Sequence, residues 1–328
     1  MGMTAVLPGA TRHGLLPILA KHSGKVPGRD FGLCYSPEFI ALGSAIRDFL
    51  NPDFLLVGES DARAGDMLAD IYGRLVENHA PVARMSFVNA ELAKLSVNTF
   101  ITTKIAFANM LARVCEQMPG ADVDVVTSAL GRDSRIGSKY LRGAVSYGGP
   151  CFPRDTVAFA ALANGVGAPA HVAEATDQLN RDGIRRLADL VRRHIPEGGT
   201  AAVLGLSYKP NTDVIEESPG LLLAQTLVDS GVDVIAYDPL ALPAVERALG
   251  ADVAYAESSA DAVRQADVIV VTTAWSEFGE LQPELFARDG APRTLIDCWR
   301  LLSADRFGDV TRYVALGEGS RDAARAVQ

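Results

Sequence analysis

The run Ala201-Ala202-Val203-Leu204-Gly205-Leu206, followed by Ser218-Pro219, Gly231 and Val234-Ile235-Ala236-Tyr237, decides the fold. The first segment is short, apolar and broken by a glycine, as a fully buried strand is. Ser218-Pro219 is a helix-start pair, a hydroxyl to cap the first turn and a proline whose fixed φ suits it, and Gly231 closes the helix. Val234 to Tyr237 is the next strand. Ala266 to Thr272 and Thr294 to Asp297 repeat the alternation. Strand, helix, strand in this order predicts an α/β fold with a parallel sheet and helices on its faces.

Upstream the period changes. From about Asn89 to Gln117, apolar residues at 92, 95, 101, 105, 108 and 111 predict one long helix bridging two α/β halves, its stripe serving as core or dimer interface. Lys94 and Asn98 fall on one face of it. Residues 121 to 194 continue helically around a glycine-rich turn, Ser146-Tyr147-Gly148-Gly149-Pro150-Cys151-Phe152-Pro153-Arg154-Asp155. The apolar run Thr156 to Asn164 puts Cys151 at a helix start, where backbone N–H groups and the helix dipole favour a thiolate. Asp155 stands one turn further on, in reach of a water or hydroxyl beside the sulfur. A small buried cysteine in a tight turn is the alternative reading. Residues 4 to 87 read as a partial Rossmann-like domain, with strands at Ala5 to Leu7, Phe31 to Cys34 and Phe54 to Val57 and a helix over Asp61 to Asn78. No G-x-G-x-x-G follows a first strand.

Composition narrows the class. The chain has 328 residues, 48% hydrophobic and 22% charged, which suits about two globular domains. A net charge of −9 with no basic block excludes general nucleic-acid or anionic-membrane binding. Four scattered cysteines, at 34, 115, 151 and 298, make neither a disulfide framework nor a zinc site and suit a reducing, cytoplasmic compartment. No apolar run reaches membrane-spanning length, and the N-terminus lacks the pattern of a signal peptide. Residues after about Leu316 are expected to carry no chemistry.

Five segments occur in family order: Ser36-Pro37-Glu38-Phe39-Ile40, the helix from Asn89 carrying Lys94 and Asn98, Gly131-Arg132-Asp133-Ser134-Arg135-Ile136-Gly137, the Cys151 turn, and Gly205-Leu206-Ser207-Tyr208-Lys209-Pro210-Asn211-Thr212-Asp213. Together they resemble the UDP-glucose/GDP-mannose dehydrogenase family, which oxidises the C6 alcohol of a nucleotide sugar to a carboxylate with NAD. The resemblance implies a partial dinucleotide-binding domain over 1–87, a helical dimerisation domain over 88–195 and a nucleotide-sugar-binding domain over 196–328. It implies Cys151, Lys94, Asn98, Asp155 and Glu38 as catalytic residues. Arg135, Tyr140, Leu141, Arg142, Tyr147, Gly148 and Lys209 would meet the substrate, Arg135 across a homodimer, and Phe152, Pro153 and Arg154 the cofactor. No metal is implied.

Three positions depart from the family pattern. Leu42 stands where a second glutamate is usual, Ala5 aligns with a threonine, and Glu216 takes the place of an arginine near the cofactor phosphates. By the same resemblance the chain begins partway through the dinucleotide-binding domain. The isolated chain is then expected to bind a UDP- or GDP-sugar but NAD weakly. The alternative is a non-catalytic nucleotide-sugar-binding or dimerising protein. A related hydroxyacid dehydrogenase would not need Cys151.

Overall fold

A computed structural model describes residues 5–320 and divides the chain into two compact units, Met1–Phe100 with Ala158–Ala170, and Ile101–Val157 with His171–Gln328. In the first unit α1 (Leu16–Ser23), β1 (Cys34–Tyr35), α2 (Ala45–Leu50), β2 (Leu55–Glu59), α3 (Ala62–Leu75) and β3 (Val82–Met85) follow in order. The sheet runs β1-β2-β3, with β2 and β3 parallel and β1 antiparallel to β2. Alternate residues of β2 face opposite sides, as strand geometry requires. Leu55 and Val57 join Leu68 and Tyr72 of α3, while Leu56 joins Leu33, Tyr35 and Phe87. The side chain of Asp61 caps α3 by accepting from the Ala64 N–H at 3.0 Å.

Two expected strands differ. Ala5 to Leu7 forms no strand: Val6 packs on the Leu33 cluster, but Leu7 is exposed, and the chain turns at Pro8 and Gly9, whose φ is +95°. Proline has no N–H to give a ladder, which ends any pairing there. The Phe31 to Cys34 run yields only Cys34–Tyr35, because Phe31 is spent on an isolated bridge to Pro27. Met3 and Thr4 of the expected first turn, and residues 321–328 of the C-terminal tail, lie outside the described residues.

The long helix α4 (Phe87–Glu116) begins in the first unit and ends in the second. It is followed by α5 (Val123–Leu130) in the second unit, by α6 (Phe152–Gly165), which starts in the second unit and ends in the first, and then, in the second, by α7 (His171–His194), β4 (Thr200–Leu204), α8 (Pro219–Asp229), β5 (Asp233–Tyr237), α9 (Leu242–Leu249), β6 (Ala254–Tyr255), α10 (Ser259–Gln265), β7 (Val268–Val271), β8 (Thr294–Asp297) and β9 (Arg312–Ala315). All strands of this sheet are parallel, in the order β6-β5-β4-β7-β8-β9. The chain therefore leaves β4 first to one side and later to the other, and the crevice beyond the carboxyl ends of β4 and β7 is where such sheets bind ligands.

Both faces of the sheet are covered, which is why its strands are apolar throughout. Val203 and Val270 face the helices α7 and α8, while Ala202, Leu204 and Ile269 face α10. Helix α8 crosses the strand end closely enough that a Cβ on Gly220 would lie 2.0 Å from the Gly205 carbonyl oxygen. Arg300, with φ +54°, is buried behind β8. Its guanidinium donates to the Asp124 carboxylate at 2.7 and 2.9 Å, to the Gly143 carbonyl at 2.7 Å and to the Leu316 carbonyl at 2.5 Å.

Candidate active site

Cys151 is exposed, and the residue after it, Phe152, opens α6. Its carbonyl accepts the Asp155 N–H at 2.9 Å, so it stands at the cap position that the proline at 153 and the apolar run predict. Asp155, one turn on, is buried, and Arg154 donates to its Oδ1 from both Nε and Nη2 at 2.9 Å. The Arg154 guanidinium is held above its ordinary pKa: burial opposes this, but the hydrogen bond to Asp155 and the negative fields of Asp155, Cys151 and Glu216 outweigh it. The expected charge conflict at Glu216 is thus partly answered by Arg154, and the Glu216 carbonyl accepts the Gly149 N–H at 2.9 Å.

The two glycines before Cys151 are required by what lies on them. A Cβ on Gly148 would stand 2.2 Å from the Glu217 carbonyl oxygen, and one on Gly149, whose φ is +87°, 2.6 Å from the Tyr208 ring. The loop after β4 therefore lies directly on the cysteine turn. Burial, reinforced by the field of Cys151, raises the Tyr208 pKa, and the Lys209 ammonium lies 5.7 Å from the Tyr208 ring centroid.

The other residues of this unit fall into two groups. Tyr140, with φ +62°, is half exposed and meets Phe152 edge-on at 6.1 Å, while Arg135 projects into solvent and pairs with Asp133 at 2.6 Å. Arg142 is exposed, donates to the Trp299 carbonyl at 2.8 Å and lies 5.5 Å from that ring. Leu141, Tyr147 and Pro153 are instead buried. Burial, opposed by the nearby Thr156 and Thr102 hydroxyls, pushes the Tyr147 pKa up to about 12. The Tyr147 N–H donates to the Asn180 side-chain oxygen at 2.8 Å and its carbonyl accepts from the Asn180 amide at 2.9 Å, so Tyr147 braces the turn through its backbone.

In the first unit, Lys94 and Asn98 are both buried one turn apart on α4. The Lys94 ammonium donates to the Glu38 carbonyl at 2.6 Å, lies 4.0 Å from the Glu38 carboxylate and covers the Phe39 ring at 4.3 Å. One turn earlier, buried Glu91 accepts from the Gly9 N–H at 2.6 Å and the Thr11 N–H at 2.8 Å. Sequence reasoning missed Glu91, although a carboxylate among apolar helix residues needs a partner. Leu42 is exposed in the loop after Glu38. Among the described residues no group of His, Cys, Asp and Glu could hold a metal, and no helix is long and apolar enough to cross a membrane.

A parallel sheet with a ligand crevice, and a cysteine at a helix start whose turn the crevice loop covers, define an α/β nucleotide-binding protein equipped for thiol chemistry. The chain belongs to the UDP-glucose/GDP-mannose dehydrogenase family. Residues 3–76 match that family's NAD binding domain, 88–182 its central domain and 202–304 its UDP binding domain. It is 38% identical over 303 residues to the UDP-glucose 6-dehydrogenase AglM of Haloferax volcanii, covering 92% of this chain and 70% of that protein. To the UDP-glucose 6-dehydrogenase of Rickettsia bellii it is 33% identical, covering 89% and 68%. The solved UDP-glucose dehydrogenase of Pyrobaculum islandicum superimposes with a TM-score of 0.84 at 30% identity, over 96% of this chain and 69% of that one. The chain is accordingly an oxidoreductase whose cofactor is NAD.

A pyrophosphate needs free backbone N–H groups at a helix start. In the first unit Glu91 takes those of Gly9 and Thr11, and Asp61 that of Ala64. With these amides taken, neither the Gly9–Thr11 turn nor the start of α3 is a glycine cradle for the NAD pyrophosphate.

Proposed function

We propose that the chain oxidises the C6 alcohol of a UDP-sugar to a carboxylate, with Cys151 as the covalent residue. The exposed sulfur at the start of α6, with the buried Asp155 carboxylate one turn on, carries this reading. The overall oxidation releases two hydrides, and bound NAD would supply the acceptor for each, one molecule after the other. Removal of a hydride and a proton from C6 leaves an aldehyde, whose carbon the Cys151 thiolate attacks; the new C–S bond leaves an alkoxide that takes up a proton as a thiohemiacetal. Loss of the second hydride and that proton yields a thioester. Water then adds to the thioester carbon, and the C–S bond breaks to return the thiolate and free the carboxylate. Lys94 and Asn98 stabilise the oxygen's developing charge, while Asp155 and Glu38 orient or deprotonate water.

Tyr140, Arg142, Lys209 and the turn at Gly148 hold the nucleotide sugar, with buried Leu141 and Tyr147 shaping that wall, and Phe152, Pro153 and Arg154 meet the nicotinamide side. The family matches support the division at 1–87, 88–195 and 196–328. The working form is a homodimer through α4, in which the outward Arg135 serves the partner's site. Exposed Phe107, Met110 and Val114 on one face of α4 support it. Isothermal titration with UDP-glucose, UDP-N-acetylhexosamine and GDP-mannose tests the substrate class. Micromolar binding of one UDP-sugar is expected, and binding of none would overturn the reading.

A further inference from the structure

Asp238 follows β5 and is buried. A dinucleotide-binding sheet keeps at the end of its second strand the acid that reads a ribose, and at the end of its first strand a glycine turn whose backbone N–H groups hold phosphate. Here the two are joined. One oxygen of Asp238 accepts from the Leu206 N–H at 2.8 Å, the Ser207 N–H at 2.9 Å and the Ser207 hydroxyl at 2.8 Å, and the Trp275 indole N–H approaches it at 3.3 Å. The other oxygen accepts from the Leu240 and Ala241 N–H groups at 2.9 and 2.8 Å, at the start of α9. Gly205, with φ +99°, and Gly220 keep the strand-to-helix approach of a phosphate-binding turn, but the donors between them serve the chain's own carboxylate.

We propose that Asp238 is a positioning residue for nucleotide-sugar binding. Its carboxylate takes the place of a ligand phosphate at the first turn of the sheet and so sets the path of the Leu206–Lys209 loop. A carboxylate with six donors is a rigid anchor, because each lost bond leaves a buried donor unpaired. The loop it anchors lies on the cysteine turn through Tyr208 on Gly149 and the Glu217 carbonyl on Gly148, and it carries Lys209. The sheet is thereby closed to dinucleotides at its first turn. Its specificity for a UDP-sugar is set by the anchored loop, an inference that rests on the function proposed above.

The test uses the full chain, calorimetric titration with UDP and with uridine, and hydrogen exchange at the backbone amides of residues 206–208. Asp238→Asn keeps the size but turns an NH2 group toward N–H donors. It is expected to speed exchange at Leu206 and Ser207 at least tenfold and to weaken UDP about tenfold, with uridine changed less than twofold, since the anchored loop carries Lys209, a cation that a diphosphate would engage and a nucleoside would not. A general loss of fold would weaken both ligands alike. Where Asp238→Asn does not fold, Ser207→Ala decides by the same readings, with about threefold weaker UDP binding expected. Wild-type UDP affinity in a folded variant overturns the proposal. Failure of the wild-type chain to bind UDP would refute the proposed function instead, and unchanged amide exchange in the variants would then overturn the role of Asp238.

Discussion

Replacing Cys151 with serine keeps the turn, because the side chain points to solvent and the capping carbonyl is backbone. Acid formation should fall to background while UDP-sugar affinity stays within a few-fold of wild type, a contrast that product analysis beside titration measures. Lys94→Ala removes the tie to the Glu38 carbonyl as well as the charge. Turnover should drop at least ~100-fold with a smaller change in substrate affinity, as loss of a group acting on developing charge does. Tyr147 gives a pH signature. Burial raises its pKa from 10 to about 12, so its contribution is complete below pH 10 and is lost as pH rises toward 12. Thermal melts from pH 9 to 12 should show Tyr147→Phe losing less stability over that window than the wild type, and equal losses would refute it.

Among the elements, α4 does two things along its length. Near its start Glu91 and Lys94 each hold a loop of the first unit, and further on Phe107, Met110 and Val114 leave an apolar stripe uncovered. Met110→Glu should convert a sedimenting dimer to monomer without changing the melting temperature by more than a few degrees; a monomeric wild type would remove the dimer reading. The helix and the strands β4, β5, β7 and β8 were legible because long amphipathic and short apolar segments announce themselves by period. Ser218-Pro219 marked the start of α8 to the residue, with the Ser218 hydroxyl accepting from the Leu221 N–H at 3.5 Å. Short edge strands were not legible: β3, β6 and β9 carry two to four residues each, and only their neighbours' backbones make them strands. For the site, the cysteine turn could be read from glycine and proline chemistry, since those residues act locally. What Gly148 and Gly149 make room for could not, because Tyr208 and Glu217 lie more than fifty residues away in sequence, and the Leu206 and Ser207 donors to Asp238 come from another strand end, which only the tertiary fold brings near.

At the scale of the whole molecule, Arg300 draws together three stretches far apart in sequence: α5 through Asp124, the segment before the cysteine turn through Gly143, and the end of β9 through Leu316. Arg300 thus helps to fasten the central and UDP binding family matches, 88–182 and 202–304, beside the ties of Arg142 to Trp299 and of Gly149 to Glu216. An evolutionary module need not be an autonomous folding unit. Residues 101–157 and 171–320 should melt in one calorimetric transition, and trypsin should release no long-lived fragment corresponding to the last third of the chain. Arg300→Ala should split that transition in two and let such a fragment accumulate. The boundary along which descent can be divided would then become, for the first time, a boundary along which the protein comes apart.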